Sequence, residues 1–291
     1  MKKHAYLIMC HNNYQILHKL VQLLDDPRND IFIHIDKKAS NDSDLRESLH
    51  TQYATLHFTR RINVNWAGYS QIHAELILLE AATQSDHAYY HLLSGVDLPI
   101  KTQDEIHSFF RDNYGKEYMQ SEDSGISSEL FSYRLQHYHF LQDYIGKQHT
   151  LFHRMLRVLE AKSLQLQAKL PVNRLNKIHF PLYKGANWFS ITHNMALYIL
   201  SRKKDIRFYF KHTVGADEIF LQTLAMQSPY APNIVNDTLR CIDWHRGSPY
   251  TFRCEDFDLL MNSGKLFARK FDSQIDMDIV NDIYNALTDH V

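Results

Sequence analysis

Three short apolar runs, each stopping abruptly on polar residues, constrain this chain more than any other feature. Residues 5–10 lead into His11-Asn12-Asn13, residues 31–35 into Asp36-Lys37-Lys38, and residues 88–93 into Ser94-Gly95-Val96-Asp97-Leu98-Pro99. Runs of five or six apolar residues have the length of buried strands. Segments of helical spacing separate them. Ile16, Leu17, Leu20, Val21 and Leu24 mark one helix; Leu45 and Leu49 mark a second, capped at Asn41 or Asp42. A short strand near 55–58 and a long helix from about 70 to 83 complete the pattern. Strands alternating with helices predict an α/β fold, with a mostly parallel sheet flanked by helices. Such sheets bind ligands beyond the carboxyl ends of their strands. His11, Asp36 and Asp97 fall at those ends.

The chain has 291 residues, 44% of them hydrophobic. That length suits one elaborated domain over residues 1–291, and no repeat or linker divides it. A formal net charge of −1 excludes a global field for nucleic acid, so an anionic ligand needs a local cluster of cations. Cys10, Cys241 and Cys254 are too few and too scattered for a disulfide framework or a CxxC metal site. A reducing compartment follows. The first apolar run is too short for a signal peptide, and no window approaches the ~20 apolar residues of a membrane span. The sequence therefore predicts a soluble, cytoplasmic protein.

The middle of the chain differs. Between Lys147 and Lys177 there are seven Lys or Arg against one acid, Glu160, with Leu151, Met155, Val158, Leu159, Leu166 and Leu170 at helical spacing. This basic amphipathic segment admits two readings. It is a packing helix with a solvated charged face, or a contact for anionic lipid or a charged acceptor.

Several constellations carry chemistry. Asp217-Glu218 opens an apolar helix; capping accounts for one acid, and the other is free to act as a general base. Arg269-Lys270 lies between Phe267 and Phe271, where two cations need either intramolecular acids or a pyrophosphate. Asp-x-Asp occurs at Asp42-Ser43-Asp44, Asp256-Phe257-Asp258 and Asp276-Met277-Asp278, each opening a predicted helix rather than following a buried strand. No metal site is expected, which leaves a diphosphate to fixed cations. Trp66, Trp188 and Trp244 neighbour Gly or polar residues; each suits stacking on a sugar or base, or packing. His34, inside an apolar strand, reads as a hydrogen-bonded core residue.

In order along some 270 residues, these strings resemble the core-2/I-branching β-1,6-N-acetylglucosaminyltransferases and the related peptide O-xylosyltransferases. The likeness runs through His11, His34 to Lys38, Asn65 to Gly68, Ser94 to Thr102, Gly185 to Trp188, Asp217-Glu218, Asp243-Trp244 with Ser248-Pro249, and Phe267 to Phe271. The segment from about 115 to 180 shows no likeness and is expected to be a variable, partly helical insertion. The resemblance implies a GT-A-like, Rossmann-related single domain that needs no metal or cofactor. It implies a UDP-sugar donor, a glycan or lipid-linked oligosaccharide acceptor, and inverting transfer with Glu218 as catalytic base. Arg269 and Lys270 fall where the diphosphate is gripped, and Ser248 on a phosphate-contacting serine. His11 and Asp36 fall where the nucleoside is held. Asp97, Asn187, Trp188, Trp244 and Asp217 fall around the sugar sites. A further phosphate ligand falls on Arg246 or Arg253, with Arg246 preferred because it precedes the Gly-Ser-Pro turn. Asn187 stands where the xylosyltransferases carry an acid, which counts against a xylose donor. Set against the membrane anchors and disulfides of the family's animal members, the sequence suggests bacterial surface-polysaccharide synthesis on the cytosolic side, and the basic segment 147–177 offers the peripheral membrane contact. The rival reading is a non-catalytic glycan- or membrane-binding protein on a transferase fold.

Overall fold

A computed structural model of the chain describes residues 2–40, 42–123, 133–247 and 249–288. The expected first strands are present: β1 is His4–Cys10, β2 Asn29–Ile35, β3 Thr55–Phe58 and β4 Tyr89–Ser94. They pair in parallel, with His4 opposite Asn29 and Tyr89, and Asp30 opposite Thr55. β5 is Asp97–Pro99, β6 Glu117–Met119, β7 Glu122–Asp123, β8 Tyr183–Lys184, β9 Phe189–Thr192 and β10 Ile234–Asn236. The main sheet has seven strands in the order β10-β6-β9-β4-β1-β2-β3, and only β9 runs antiparallel to its neighbours. This is the α/β, GT-A-like arrangement expected from the sequence. One difference is instructive. β6 lies inside the stretch expected to be an insertion, yet it is an interior strand of the sheet. Three residues are too short to leave a periodic signal.

The strand period of two splits the apolar side chains between two cores. On one face sit Tyr6, Ile8, Ile31, Ile33 and Ile35, all fully buried; Ala5, Leu7 and Phe32 point to the other. The first core is closed by helices α1 (Tyr14–Leu23), α2 (Asp42–Ser48) and, later in the chain, two C-terminal helices. Between α2 and those come α3 (Tyr69–Ala82) and α4 (Gln103–Asp112), on opposite faces. α3 buries residues all round its circumference, so it is packed between the sheet and other helices. α4 starts with a capping box in which Thr102 and Glu105 satisfy each other's backbone N–H groups. Truncating a core isoleucine such as Ile33 would cost about 2–5 kcal/mol.

After the sheet's first half, the chain makes α5 (Gln142–Ile145) and α6 (Leu151–Lys169), then returns through β8 and β9. α7 (His193–Ser201), α8 (Lys203–Phe210) and α9 (Phe220–Met226) close the second core. β11 (Arg240–Ile242), α10 (Phe257–Met261), β12 (Phe267–Arg269) and α11 (Asp278–Thr288) end the fold. β11, β12 and β5 form a separate three-stranded sheet, with Arg269 opposite Asp97. This small sheet adjoins the carboxyl end of β4, where the candidate ligands gather. No described helix is long and apolar enough to cross a membrane.

Candidate active site at the strand ends

The carboxyl ends of β1, β2 and β4 are held together tightly. The Gly95 N–H donates to the Met9 carbonyl at 2.9 Å, and a Cβ on Gly95 would collide with the Cys10 side chain. Asp36, buried just past β2, accepts from the N–H groups of Lys38 at 2.9 Å and Val64 at 3.3 Å. Arg61 donates to the carbonyls of Ile35, Asp36, Lys37 and Ala39, fixing the loop. His11 is exposed at the rim. Desolvation lowers its pKa against the pull of Asp36, and Lys38, Arg269 and Lys147 add to the lowering. His34 is the expected core histidine: it is 1% exposed, its Nε2 accepts from the Ile62 N–H, and burial holds it neutral with a pKa of about 4.

Arg269 and Lys270 are not equivalent. Arg269 Nη1 donates to Asp97 Oδ1 at 2.7 Å and to the Ser94 hydroxyl, and its guanidinium lies 4.5 Å from the ring centre of Trp188. Asp97 is fully buried and also accepts from the Ser94 N–H and hydroxyl, both at 2.7 Å. The expectation that Asp97 lines a sugar site therefore needs correcting. Its register against Arg269 turns it inward, where it fixes that arginine. Trp188 is likewise 8% exposed and roofs the guanidinium. Arg269 Nε and Nη2 bond to no described residue, so they keep donors for an anion. Lys270 is half-buried and forms no ion pair among the described residues.

The acids occupy a 3₁₀ turn, Ala216–Glu218, rather than the first turn of α9, and neither caps it. Asp217 is buried and accepts from Gln71 Nε2 at 3.1 Å. Burial and then the Glu218 charge push its pKa up to about 7. Beneath it lies Glu75, 1% exposed, raised well above the usual range by burial and by Asp217, with Asn187 opposing. Asp217 thus belongs with Glu75 to a buried acid pair, while Asn187 is half-buried. Glu218 is different. About half of its side chain is exposed, and its Oε2 accepts from Arg134 Nη1 at 2.7 Å. Arg134 packs over Gly215, whose φ of +60° suits glycine.

Residues 185–188 join the two halves. The Gly185 N–H donates to the Glu218 carbonyl at 3.0 Å, and Trp188 covers Arg269. A Cβ on Gly185 would overlap the Gln120 carbonyl oxygen, so the segment fits only with glycine there. The backbone of Glu218 and the guanidinium of Arg269 therefore meet the two ends of one four-residue segment.

The remaining residues lie further out. Arg246, preferred as a phosphate ligand, is committed to Asp243 at 2.5 Å and to Asp256 at 2.8 Å, and it lies over Tyr250. Arg253 is exposed and forms no ion pair among the described residues. Trp244 is 58% exposed. Ser248 lies outside the described residues. Asp276-Met277-Asp278 opens α11 as expected, with Asp276 accepting from the Ile279 N–H at 3.1 Å. Asp276, Asp278 and Cys254 also have ligand atoms within 4.8 Å of one another, the single grouping among the described residues spaced for a metal ion. It is built from α11 and the turn before α10, and it shares no residue with the Glu218–Arg269 region.

The profile of the core-2/I-branching enzymes matches residues 4–260. The chain belongs to that family. This core-2/I-branching chain is 23% identical over 309 residues to xylosyltransferase 2 of Canis lupus familiaris, covering 95% of itself and 32% of that protein. It is 22% identical over 309 residues to the Homo sapiens β-1,3-galactosyl-O-glycosyl-glycoprotein β-1,6-N-acetylglucosaminyltransferase, covering 94% of itself and 67% of that enzyme. The chain thus spans about a third of xylosyltransferase 2. Both relatives are glycosyltransferases by name. Among solved structures, mouse xyloside xylosyltransferase 1 in its apo form is similar at 12% identity and a TM-score of 0.40, over 92% of this chain and 97% of that one. Sequence reasoning missed Arg134 and Glu75. Glu75 had a signal, a lone carboxylate inside the apolar run Ile72 to Leu79; Arg134 had none.

Proposed function

We propose that the chain is an inverting glycosyltransferase that moves a sugar from a UDP-sugar to a hydroxyl of a glycan acceptor by direct displacement. Glu218 is the base, and no metal ion takes part. The observation that supports this reading is the segment 185–188, which bonds the backbone of the turn carrying the accessible Glu218 at one end and stacks Trp188 on Arg269 at the other. In the step, the acceptor oxygen forms a bond to the anomeric carbon while the bond to the UDP oxygen breaks. The electron pair leaves on the β-phosphate and the hydroxyl proton passes to Glu218. Arg134 holds Glu218 Oε2, leaving Oε1 to meet the hydroxyl. Lys270 and the unused N–H groups of Arg269 stabilise the diphosphate charge as it develops. One fixed donor of that kind is typically worth ~3 kcal/mol of barrier, and a positioned base adds about 10²–10⁴-fold.

The donor sugar is of the N-acetylglucosamine or xylose type, and Asn187 over Glu75 favours the former. The acceptor is a glycan or lipid-linked oligosaccharide of a bacterial surface polysaccharide, met at the cytosolic face with peripheral membrane contact through 147–177. Three free thiols accord with that compartment. The test is Glu218→Gln with a panel of UDP-sugars. Transfer is lost and UDP binding stays within about twofold, since the amide keeps the shape and removes the base. A variant retaining more than a few per cent of transfer removes Glu218 from the role. A wild-type protein that hydrolyses and transfers no donor makes it a binding protein.

A further inference from the structure

α6 is built inside out for a packing helix. Its buried positions include Glu160 and Gln167, both polar, with Leu156 the one buried apolar residue. Its leucines face away. Leu151 is 81% exposed, and Phe152, Met155, Val158, Leu159 and Leu166 range from 48% to 59%. At 3.6 residues per turn these side chains fall within an arc of about 120°. Lys162 and Lys169 share that arc, and Arg154 borders it. The packing reading of this helix fails because, among the described residues, nothing covers the apolar face. The buried face works by hydrogen bonds: Gln167 accepts from the Tyr138 N–H at 2.8 Å and donates to its carbonyl at 2.9 Å.

Tyr138 in turn lines a cavity of about 450 Å³ between this region and α8. Its walls carry Arg174, Lys177, Lys204, Arg207 and Lys211, and no lining residue is an acid. Arg174 is 6% exposed, and its guanidinium donates to the carbonyls of His137, Tyr209 and His212 rather than to a carboxylate. Burial of this unneutralised cation lowers its pKa. The three carbonyls offset part of the cost of burying this guanidinium, and an anion in the cavity would supply the missing counter-charge. Phe208 at the rim is 65% exposed. The chain passes from Leu170 at the end of α6 to Arg174 within four residues, and Gln167 bonds Tyr138 in the cavity wall, so the end of α6 and the basic cavity adjoin.

We propose that α6 and this cavity form a docking surface for an anionic membrane, with the leucine face in the interface and a lipid headgroup phosphate in the cavity. An apolar face edged with Lys and Arg is the composition of an interfacial helix. Five cations without an acid match a phosphate and fit no apolar protein partner. The proposal deepens the membrane contact given above and leaves the chemistry at Glu218 aside.

The experiment is flotation of the full chain with vesicles of phosphatidylcholine alone or mixed with phosphatidylglycerol, with UDP binding measured on every variant. Wild type co-floats with the anionic vesicles. Lys204→Glu with Arg207→Glu weakens that partition about thirtyfold or more, from charge alone, and Leu159→Asp with Leu166→Asp also lowers it strongly. UDP binding stays unchanged in both, which shows that the variants are folded. The proposal is overturned if the charge-reversed variant co-floats as well as wild type, or if wild type stays unbound with both vesicle types. It is also overturned if wild type binds inorganic pyrophosphate through these lysines but ignores vesicles, or if the leucine face proves to be a dimer contact that Leu159→Asp dissociates. Loss of transfer in Glu218→Gln has no bearing on any of these outcomes, so the two readings fail separately.

Discussion

Replacing Arg269 and Lys270 one at a time separates scaffold from ligand. Arg269→Ala removes the counter-ion of a carboxylate that has no exposed surface, while the two Ser94 hydrogen bonds to Asp97 remain. Breaking one side of a buried ion pair costs about 3–5 kcal/mol. Arg269 itself is 20% exposed, which favours the lower end, about 3 kcal/mol. For a chain of this size each kcal/mol shifts the melting temperature by about 2 °C, so a fall of about 6 °C is expected. Lys270→Ala removes a half-exposed cation with no ion-pair partner among the described residues, and such changes stay within about 0.5 kcal/mol, about 1 °C. In UDP affinity both variants lose. Each gives up a charge-assisted contact of about 1.5–3 kcal/mol, or about 10- to 100-fold. The assay is a ligand-free thermal melt paired with calorimetric titration of UDP. A melting temperature for Arg269→Ala within a degree of wild type, or a Lys270→Ala protein that melts early yet binds UDP normally, refutes the reasoning.

Three further outcomes are expected. EDTA leaves transfer unchanged, because the diphosphate charge falls to Lys270 and Arg269; strict Mn²⁺ dependence in a transfer assay would count against this. Gly185→Ala forces the segment 185–188 off the Gln120 carbonyl at about 1–3 kcal/mol and lowers transfer at least tenfold, read by melts and initial rates. Stability falls on acidification from pH 6.5 toward 5. Nine described histidines (4, 11, 18, 34, 73, 91, 107, 139 and 212) have lowered pKa values, so the unfolded chain takes up protons near its ordinary value that the folded chain refuses. Four carboxyls with raised values, Glu75, Glu117, Glu160 and Asp217, act in the opposite sense and lose stability as pH rises. The histidines outnumber them, so a urea midpoint that is higher at pH 5 than at pH 7 contradicts the balance.

The sequence was informative where period and punctuation coincide. β1, β2 and β4 could be read because each apolar run stops at a polar group, and His11 and Asp36 were placed at the strand ends for the same reason. Asp97 shared that punctuation and was misplaced, since the pairing of β5 with a strand some 170 residues later leaves no trace in local spacing. The asymmetry between Arg269 and Lys270 was hidden for the same reason. α6 shows the limit of amphipathic pattern. The spacing identifies an apolar face but not which way it points, because direction depends on whether Glu160 and Gln167 find buried partners. Arg134 reaches Glu218 across 84 positions from a stretch with neither period nor motif.

That last contact divides the molecule's evolutionary freedom. Everything proposed for the nucleotide is anchored to strand ends, where a shift in one residue disturbs the sheet. The arginine beside the proposed base lies instead outside the sheet, in the connection between β7 and α5, where its neighbour Leu135 is buried in the second core. In the proposed reaction, a substitution in that connection would therefore act on Glu218 and leave the cations set against the leaving group as they were.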